Sequence, residues 1–526
     1  MKGVVAAGSQ LTAEAGAWAL REGGNAFDAA VCCVLASFTS ESLLTGMGAG
    51  GFLLAHTADN EDHLLDFFVE AGGRGLDPES RVELVAAEVR FDETPQIFNV
   101  GPASCGVPGT PAGVWEMCER FCTMPLSELV KPGVRYAREG VTVDRVQAYV
   151  FQLLRAVVTV EPESCALYAP EGNLLKAGDT FRFADLADGL ERFAAEGPDW
   201  VYRGDGGRAV TEWLIERGGM VSDEDMDAYR VLERDPVRTA YRGREVLTNA
   251  PPSSGGVLIA YALALLERVH SGDLGEADAL VLLTEVMGET NRAREGDFHL
   301  RLHEPHLPQW FLSDGLVDAA AGRIEQAVSS GAPAREGSAP ANLGSTTHLS
   351  VLDEAGNAAA ITCSNGTSSG VVVPGTGIHL NNMLGEEDLN PLGFHRHEAG
   401  TRVTSMMAPT TVLRNGEIEL SLGSAGSNRL RSAILQVIRG VVDDGADIIH
   451  AVERGRLHYE AGILHAEPGF DSTALDEVEK RGYRLVRWKE RNLYFGGVQA
   501  VKRDAETGAL SGAGDPRRGG AVVVVG

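Results

Sequence analysis

The sequence predicts a layered α/β body built on antiparallel sheets, and three observations carry that prediction. Residues 345–365 read as two strands around a short turn. Helical patterns, several of them apolar throughout, occupy much of the first 295 residues. The chain then becomes strand-rich over 408–423 and 497–525, either side of an apolar helix at 429–442. Strands and helices in this order suit antiparallel sheets faced by helices, not the βαβ alternation of a doubly wound nucleotide fold.

The hairpin organises the rest. Residues 347–352 are β-branched and apolar, Asp353, Gly356 and Asn357 are turn formers, and 358–364 become strand-like again. Loop length sets register, so pairing should be symmetric about Ala355. That places Leu352 opposite Ala358, Ser350 opposite Ala360 and Thr346 opposite Ser364; a one-residue slip would bring Asn365 to Thr346 instead. A hydroxyl at one strand's start thus faces a polar residue at the other's end.

Taken in order, residues 9–23 predict a helix, with Thr12 as a candidate cap and Gly23-Gly24 at its end. Residues 25–39 predict a second helix, apolar enough to be buried. The glycine stretch 46–51 opens a strand at 52–56, and 63–69 continue the sheet. Helices are expected at 113–122 and 127–139, and 141–245 reads as mainly helical. The Pro251–Gly256 turn leads into helices at 256–267 and 278–294. Residues 320–345, rich in Ala, Gly, Ser and Pro, read as an exposed, mobile segment ending just before Thr346.

Composition narrows the function. A length of 526 residues corresponds to about three or four domains on length alone. No linker marks a cut, however. A net charge of −28 argues against nucleic acid or an anionic membrane as partner, since both need positive surface. The seven cysteines lack metal-ligand spacing and read as reduced core residues. With no signal-like apolar region after Met1 and no apolar run near 18 residues, the expected location is cytoplasmic, or secreted or periplasmic if an upstream segment exists.

Several motifs match known sites in residue type but not in context. Gly46, Gly48 and Gly51 match G-x-G-x-x-G, but they follow a helix and open a strand, the reverse of a dinucleotide site. They read instead as positions of close backbone packing. Gly366-Thr367-Ser368-Ser369-Gly370 matches a nucleophile elbow, but Val371-Val372-Val373-Pro374 follows where a helix is required. His299, His303, Glu304 and His306 cluster in sequence, yet Pro305 and Pro308 break the helix that would align them, so no metal and no cofactor is expected. The Gly423–Arg429 loop before a helix can present free N–H groups to an anion or oxyanion.

Collinear motifs along nearly the whole chain resemble the γ-glutamyltransferase family of N-terminal-nucleophile hydrolases. They are Glu22 to Ala30, Gly46 to Gly51, Gly106 to Thr110, Pro251 to Gly256, Thr346-Thr347-His348, Gly377 to Asn382, and Ser405 to Thr410. The resemblance implies a four-layer αββα sandwich and self-cleavage between Ser345 and Thr346. The products would be a large subunit, 1–345, and a small subunit, 346–526, held as a heterodimer. Thr346 would be the nucleophile and Ser364 the hydroxyl that orients it. The N–H groups of Gly426 and Ser427 would form the oxyanion hole. Asn365, Glu386 and Ser405 would contact substrate, Glu386 holding an α-amino group. The partners implied are a γ-glutamyl or other amide donor and an amine or water acceptor.

Four positions depart from the family pattern. Val69 stands where typical members carry an arginine for the donor α-carboxylate; Arg74 is the nearby candidate to replace it. Met406 replaces the second of two serines, Met383 a polar residue, and Ser427 the second of two glycines. The cleavage machinery thus reads as retained and the γ-glutamyl pocket as altered. That leaves open a non-glutamyl acylase, or a non-catalytic binding protein on the same fold.

Overall fold

A computed structural model describes residues 1–91, 94–269, 274–331, 333 and 346–526; Ser345 lies outside them. At its centre is the expected hairpin, Thr347–Asp353 with Ala358–Ser364. Its register pairs Leu352 with Ala358, Ser350 with Ala360 and Thr347 with Cys363, symmetric about Ala355. The turn is fixed by Asp353. Its Oδ1 accepts from the Ala355 and Asn357 N–H groups, each at 3.0 Å. Its Oδ2 accepts from Asn357 Nδ2 at 2.9 Å and from the Ala26 N–H at 3.0 Å, which ties the turn to a helix start.

The hairpin lies inside a seven-stranded antiparallel sheet. In spatial order the strands are Ala521–Val525, Gly3–Ala7, Thr347–Asp353, Ala358–Ser364, Gly50–His56, Asp62–Phe67 and Leu232–Arg234. A six-stranded antiparallel sheet faces it, in the order Leu510–Gly514, Gly497–Arg503, Glu417–Ala425, Thr410–Arg414, Arg244–Thr248 and Val237–Tyr241.

Side-chain alternation sorts these strands into layers. Val351, Ile361, Leu53 and Leu65 point outward onto the helices Gln10–Arg21 and Ala26–Ser40. Their neighbours Leu352, Ala360, Leu54 and Leu64 point inward, meeting Leu247, Leu413, Ile418 and Val501 of the second sheet. That sheet's far face, through Val246, Val412, Leu420 and Val498, packs on helices Ser254–Arg268, Glu276–Ala293 and Arg429–Val442. The result is helix, sheet, sheet, helix, the four-layer arrangement.

Some expectations need correction. The first helix is capped by Ser9, whose side chain accepts from the Leu11 N–H; Thr12 is buried inside the helix and bonds Ser40 and Glu41. Residues 141–245 are not mainly helical to their end, because Leu232–Arg234, Val237–Tyr241 and Arg244–Thr248 are strands. The first two lie at sheet edges, where arginines face solvent and no apolar run marks the strand. Arg242-Gly243, both with positive φ, turn the last hairpin. The strand Gly3–Ala7, not anticipated, fills the slot between the C-terminal strand and the hairpin. Residues 320–330 belong to helix Asp314–Ser330, closed by left-handed Gly331; 332 and 334–345 lie outside the described residues.

The glycine stretch works by close packing, as expected. A Cβ on Gly48 would stand 2.2 Å from the His379 carbonyl oxygen, and one on Gly51 2.4 Å from that of Thr362. Gly322, in contrast, has open space within its helix. Gly51→Ala is therefore expected to cost about 2–3 kcal/mol through overpacking. Gly322→Ala should add about 0.5–1 kcal/mol through helix propensity. Chemical denaturation of the two variants checks both signs.

Candidate active site

The site forms where the start of the hairpin strand meets the end of Glu417–Ala425 in the facing sheet. Even-numbered residues of the hairpin strand point between the sheets. The buried His348 ring lies against Gly423, where a Cβ would stand 2.3 Å from Cε1. Ser350 Oγ donates to the Gln499 carbonyl at 3.2 Å, and Gln499 pairs with Gly423. Since Leu352 packs farther along with Ile418 and Leu413, the two strands run in opposite senses across the layers. Thr346 is carried on this face toward Gly426 and Ser427. His348 stiffens the strand end: Nδ1 is 2.8 Å from Thr362 Oγ1 and Nε2 2.9 Å from Ser350 Oγ. Burial pushes its pKa down to about 3, so the ring is neutral.

Thr346 is buried, and its Oγ1 lies 3.4 Å from Ser364 Oγ, the contact that the symmetric register predicts. Ser364 Oγ also accepts from the Gly366 N–H at 2.8 Å, which fixes its rotamer. On the opposite face the Thr347 hydroxyl donates to Glu41, which also accepts from Thr12 at 2.6 Å. Burial raises Glu41 to about 6.

Ser364 leads directly into Asn365. Its side chain is fully buried, and neither Oδ1 nor Nδ2 has a hydrogen-bond partner among the described residues. A buried amide without partners is costly, of order 1–3 kcal/mol. The next turn builds the acidic part of the site. Glu386 Oε1 accepts from the Thr367 N–H at 2.7 Å and its hydroxyl at 2.8 Å, while Asn382 Nδ2 donates to Thr367 Oγ1 at 2.7 Å. Burial raises Glu386 to about 7; the Thr367 bonds oppose this and nearby Asp388 adds to it.

After Glu417–Ala425 the chain turns through Gly426, at φ 127°, and Ser427, at φ 51°. Neither N–H donates to any described residue, as an oxyanion site requires. Ser427 Oγ donates to Asp388 Oδ2 at 2.7 Å.

The remaining candidates divide. Val69 is fully buried in an apolar cluster with Phe52, Phe68, Met383 and Met407, so two departures from the family pattern pack together. Ser405 is occupied by backbone: its Oγ accepts from the Met407 N–H at 3.0 Å, and its carbonyl accepts from the Ser254 N–H at 2.8 Å. Met406 turns the other way from Met407, into the core of the second sheet's helices, with Sδ 3.1 Å from Ser254 Oγ. It is therefore not gathered with Val69. Arg74 does not replace the missing cation, because it is bound to buried Asp225 at 3.2 Å. The nearest buried cation is Arg402, which sequence reasoning missed. It is spent on the Phe68 and Arg230 carbonyls, the Tyr229 hydroxyl and Glu70. Thr367, Asn382 and Asp388 were also missed; the acidic run Glu386-Glu387-Asp388 was the available signal for the last.

This geometry can be set against known proteins. The γ-glutamyltranspeptidase family profile matches residues 12–525. The chain belongs to the γ-glutamyltranspeptidase family. It is 30% identical over 541 residues to the glutathione hydrolase proenzyme of Escherichia coli (strain K12), covering 98% of this chain and 90% of that protein. It is 31% identical over 533 residues to the acylase ACY 1 proenzyme of Pseudomonas sp. (strain SE83), covering 100% and 94%. The cephalosporin acylase of Bacillus halodurans shares the fold, with a TM-score of 0.85 at 24% identity over 99% of this chain and 95% of that one. Like other γ-glutamyltranspeptidase family members, the chain is an enzyme of the acyltransferase and amidohydrolase type.

Two outcomes follow from the buried polar groups. Asn365→Leu gives up no described hydrogen bond and removes an unpartnered buried amide, so its stability should rise by about 1–3 kcal/mol while turnover falls at least about tenfold. Melting curves and initial rates check this pair. An acid raised by folding, as Glu386 is, loses stability as pH rises from the usual 4.5 through about 7. Glu386→Gln should therefore match the parent below that window and exceed it above, by on the order of 3 kcal/mol. Denaturation at pH 4.5 and pH 8 reads the difference.

Proposed function

We propose that this protein is a self-processing Thr-nucleophile enzyme that cleaves an amide through an acyl-enzyme on Thr346 and passes the acyl group to water or an amine. The observation that carries this reading is the buried Thr346–Ser364 hydroxyl pair at the start of a central strand. In the uncut chain the Thr346 nitrogen is an amide and has no basicity. Attack of Thr346 Oγ1 on the Ser345 carbonyl, an N-to-O acyl shift and hydrolysis would release it as an α-amine. Such an amine has a pKa of about 7.7–8.0, so a useful fraction is neutral near neutral pH and can take the hydroxyl proton. Cleavage is thus the activating step, and the large and small subunits, 1–345 and 346–526, would stay together because each sheet contains strands of both.

The first donor class is a γ-glutamyl amide, as the names of the glutathione hydrolase relatives suggest. Glu386 supplies the anion for its α-ammonium group, and Asn365 a neutral donor and acceptor beside it. A second reading, an acylase for a non-glutamyl amide, is favoured by the apolar Val69–Met383 cluster and the commitment of Arg402 and Arg74 to internal partners. With Arg402 and Arg74 so engaged, a donor carboxylate loses the bidentate contact that either would offer, worth a few kcal/mol.

Wild-type protein should run as two bands on a denaturing gel, with the smaller beginning Thr-Thr-His on Edman sequencing, whereas Thr346→Ala stays uncut and inactive. A cut and active Thr346→Ala variant refutes the assignment. Chromophore release from γ-glutamyl 4-nitroanilide, compared with a glutaryl and a simple aliphatic anilide, separates the two donor readings.

A further inference from the structure

The second residue of the oxyanion loop is Ser427, not glycine, and its φ of 51° lies in the left-handed region that a side chain disfavours. Something must hold it there. Its hydroxyl donates to Asp388 Oδ2 at 2.7 Å, and the neighbouring Asn428 Nδ2 reaches the same oxygen at 3.4 Å. Asp388 belongs to the single turn Glu387–Leu389, directly after Glu386. Burial raises the Asp388 pKa and Glu460 adds to the rise, while the Ser427 hydrogen bond and the Arg294 and Arg429 charges oppose it.

We infer that Asp388 is a positioning residue for the oxyanion hole, clamping Ser427 in its left-handed conformation so that the Ser427 N–H faces the reacting carbonyl. This rests on the Thr346 acyl-transfer reading above. The clamp has a second consequence. Asp388 and Glu386 hang from one short turn, so the group proposed for the donor's ammonium and the loop proposed for its carbonyl oxygen move as one piece. The distance between those two ends of the donor is then set by two residues of backbone, without a contribution from the 345–346 junction. Glycine at 427 would adopt the same φ without a clamp. Serine with aspartate and glycine alone are therefore two solutions to one backbone requirement.

The test is a four-way comparison on matured enzyme: parent, Asp388→Ala, Ser427→Gly, and the double variant, with Asp388→Asn as the conservative control. Activity is read with whichever anilide the parent turns over best. Asp388→Ala should lower kcat at least tenfold with KM changed less than threefold, because an oxyanion contact acts in the transition state. Asp388→Asn, which keeps an acceptor oxygen, should recover most of kcat. In the Ser427→Gly background the same Asp388→Ala change should cost less than threefold. An equal loss in both backgrounds, a loss carried in KM, or no loss at all overturns the inference. So does Asp388→Asn behaving like Asp388→Ala. If Asp388→Ala fails to fold by circular dichroism, Ser427→Ala decides, since it keeps a side chain at the left-handed position and removes the donor: a kcat at least tenfold below that of Ser427→Gly supports the clamp, and a kcat equal to it overturns it. A parent that matures but turns over no anilide instead overturns the acyl-transfer reading, a result visible before any Asp388 variant is made.

Discussion

The structure depends on the register of one strand. Thr347–Asp353 is bound on both edges, by Gly3–Ala7 on one side and Ala358–Ser364 on the other. A slip of one residue would exchange its two faces. Leu349 and Val351 would leave the helical layer, His348 and Ser350 would leave the inter-sheet layer, and Thr346 would turn from Ser364 toward Glu41. Because both faces are buried and chemically unlike, slipping is penalised along the whole strand. Asp353 adds a local lock, with four hydrogen bonds on a single carboxylate.

The same strand links folding to chemistry. A hydroxyl nucleophile needs a base, a partner that sets its rotamer and a place for the developing negative charge. On the proposed reading two of these are positioned by the sheets: Ser364 through hairpin pairing, and the Gly426–Ser427 loop through packing of one sheet on the other. On the proposed reading the base comes from breaking the chain. A scaffold so tightly registered tolerates a cut there, since Thr346 leads directly into a strand of a sheet built from both segments.

The substrate side is assembled differently. Val69, Met383 and Met407 form a dry cluster, while Glu386, Thr367 and Asn382 form a polar one nearby in sequence. Buried charge is balanced internally: Arg402 is spent on carbonyls and Glu70, and Arg74 on Asp225. Glu386 is held by the Thr367 N–H and hydroxyl, and its raised pKa records the cost of its burial. On the proposed reading a cationic donor group beside it would relieve that cost.

Much of this was legible in the amino-acid sequence. Turn chemistry at Asp353–Asn357 determined the hairpin, and β-branched alternation determined its register, hence the Thr346–Ser364 pair. Apolar periodicity located most of the long helices, and the order of elements located the layers. These are local properties, set by neighbours a few residues apart. Only the tertiary structure decided the rest. Edge strands such as Leu232–Arg234 carry no apolar run, because their partner lies on one side and solvent on the other. Arg74 could not be excluded as a carboxylate ligand until Asp225, 151 residues away, was seen to hold it. The Asp388–Ser427 bond spans 39 residues and two loops with no periodic signal. Contacts of that kind are fixed by how layers stack, and stacking is a property of the whole chain.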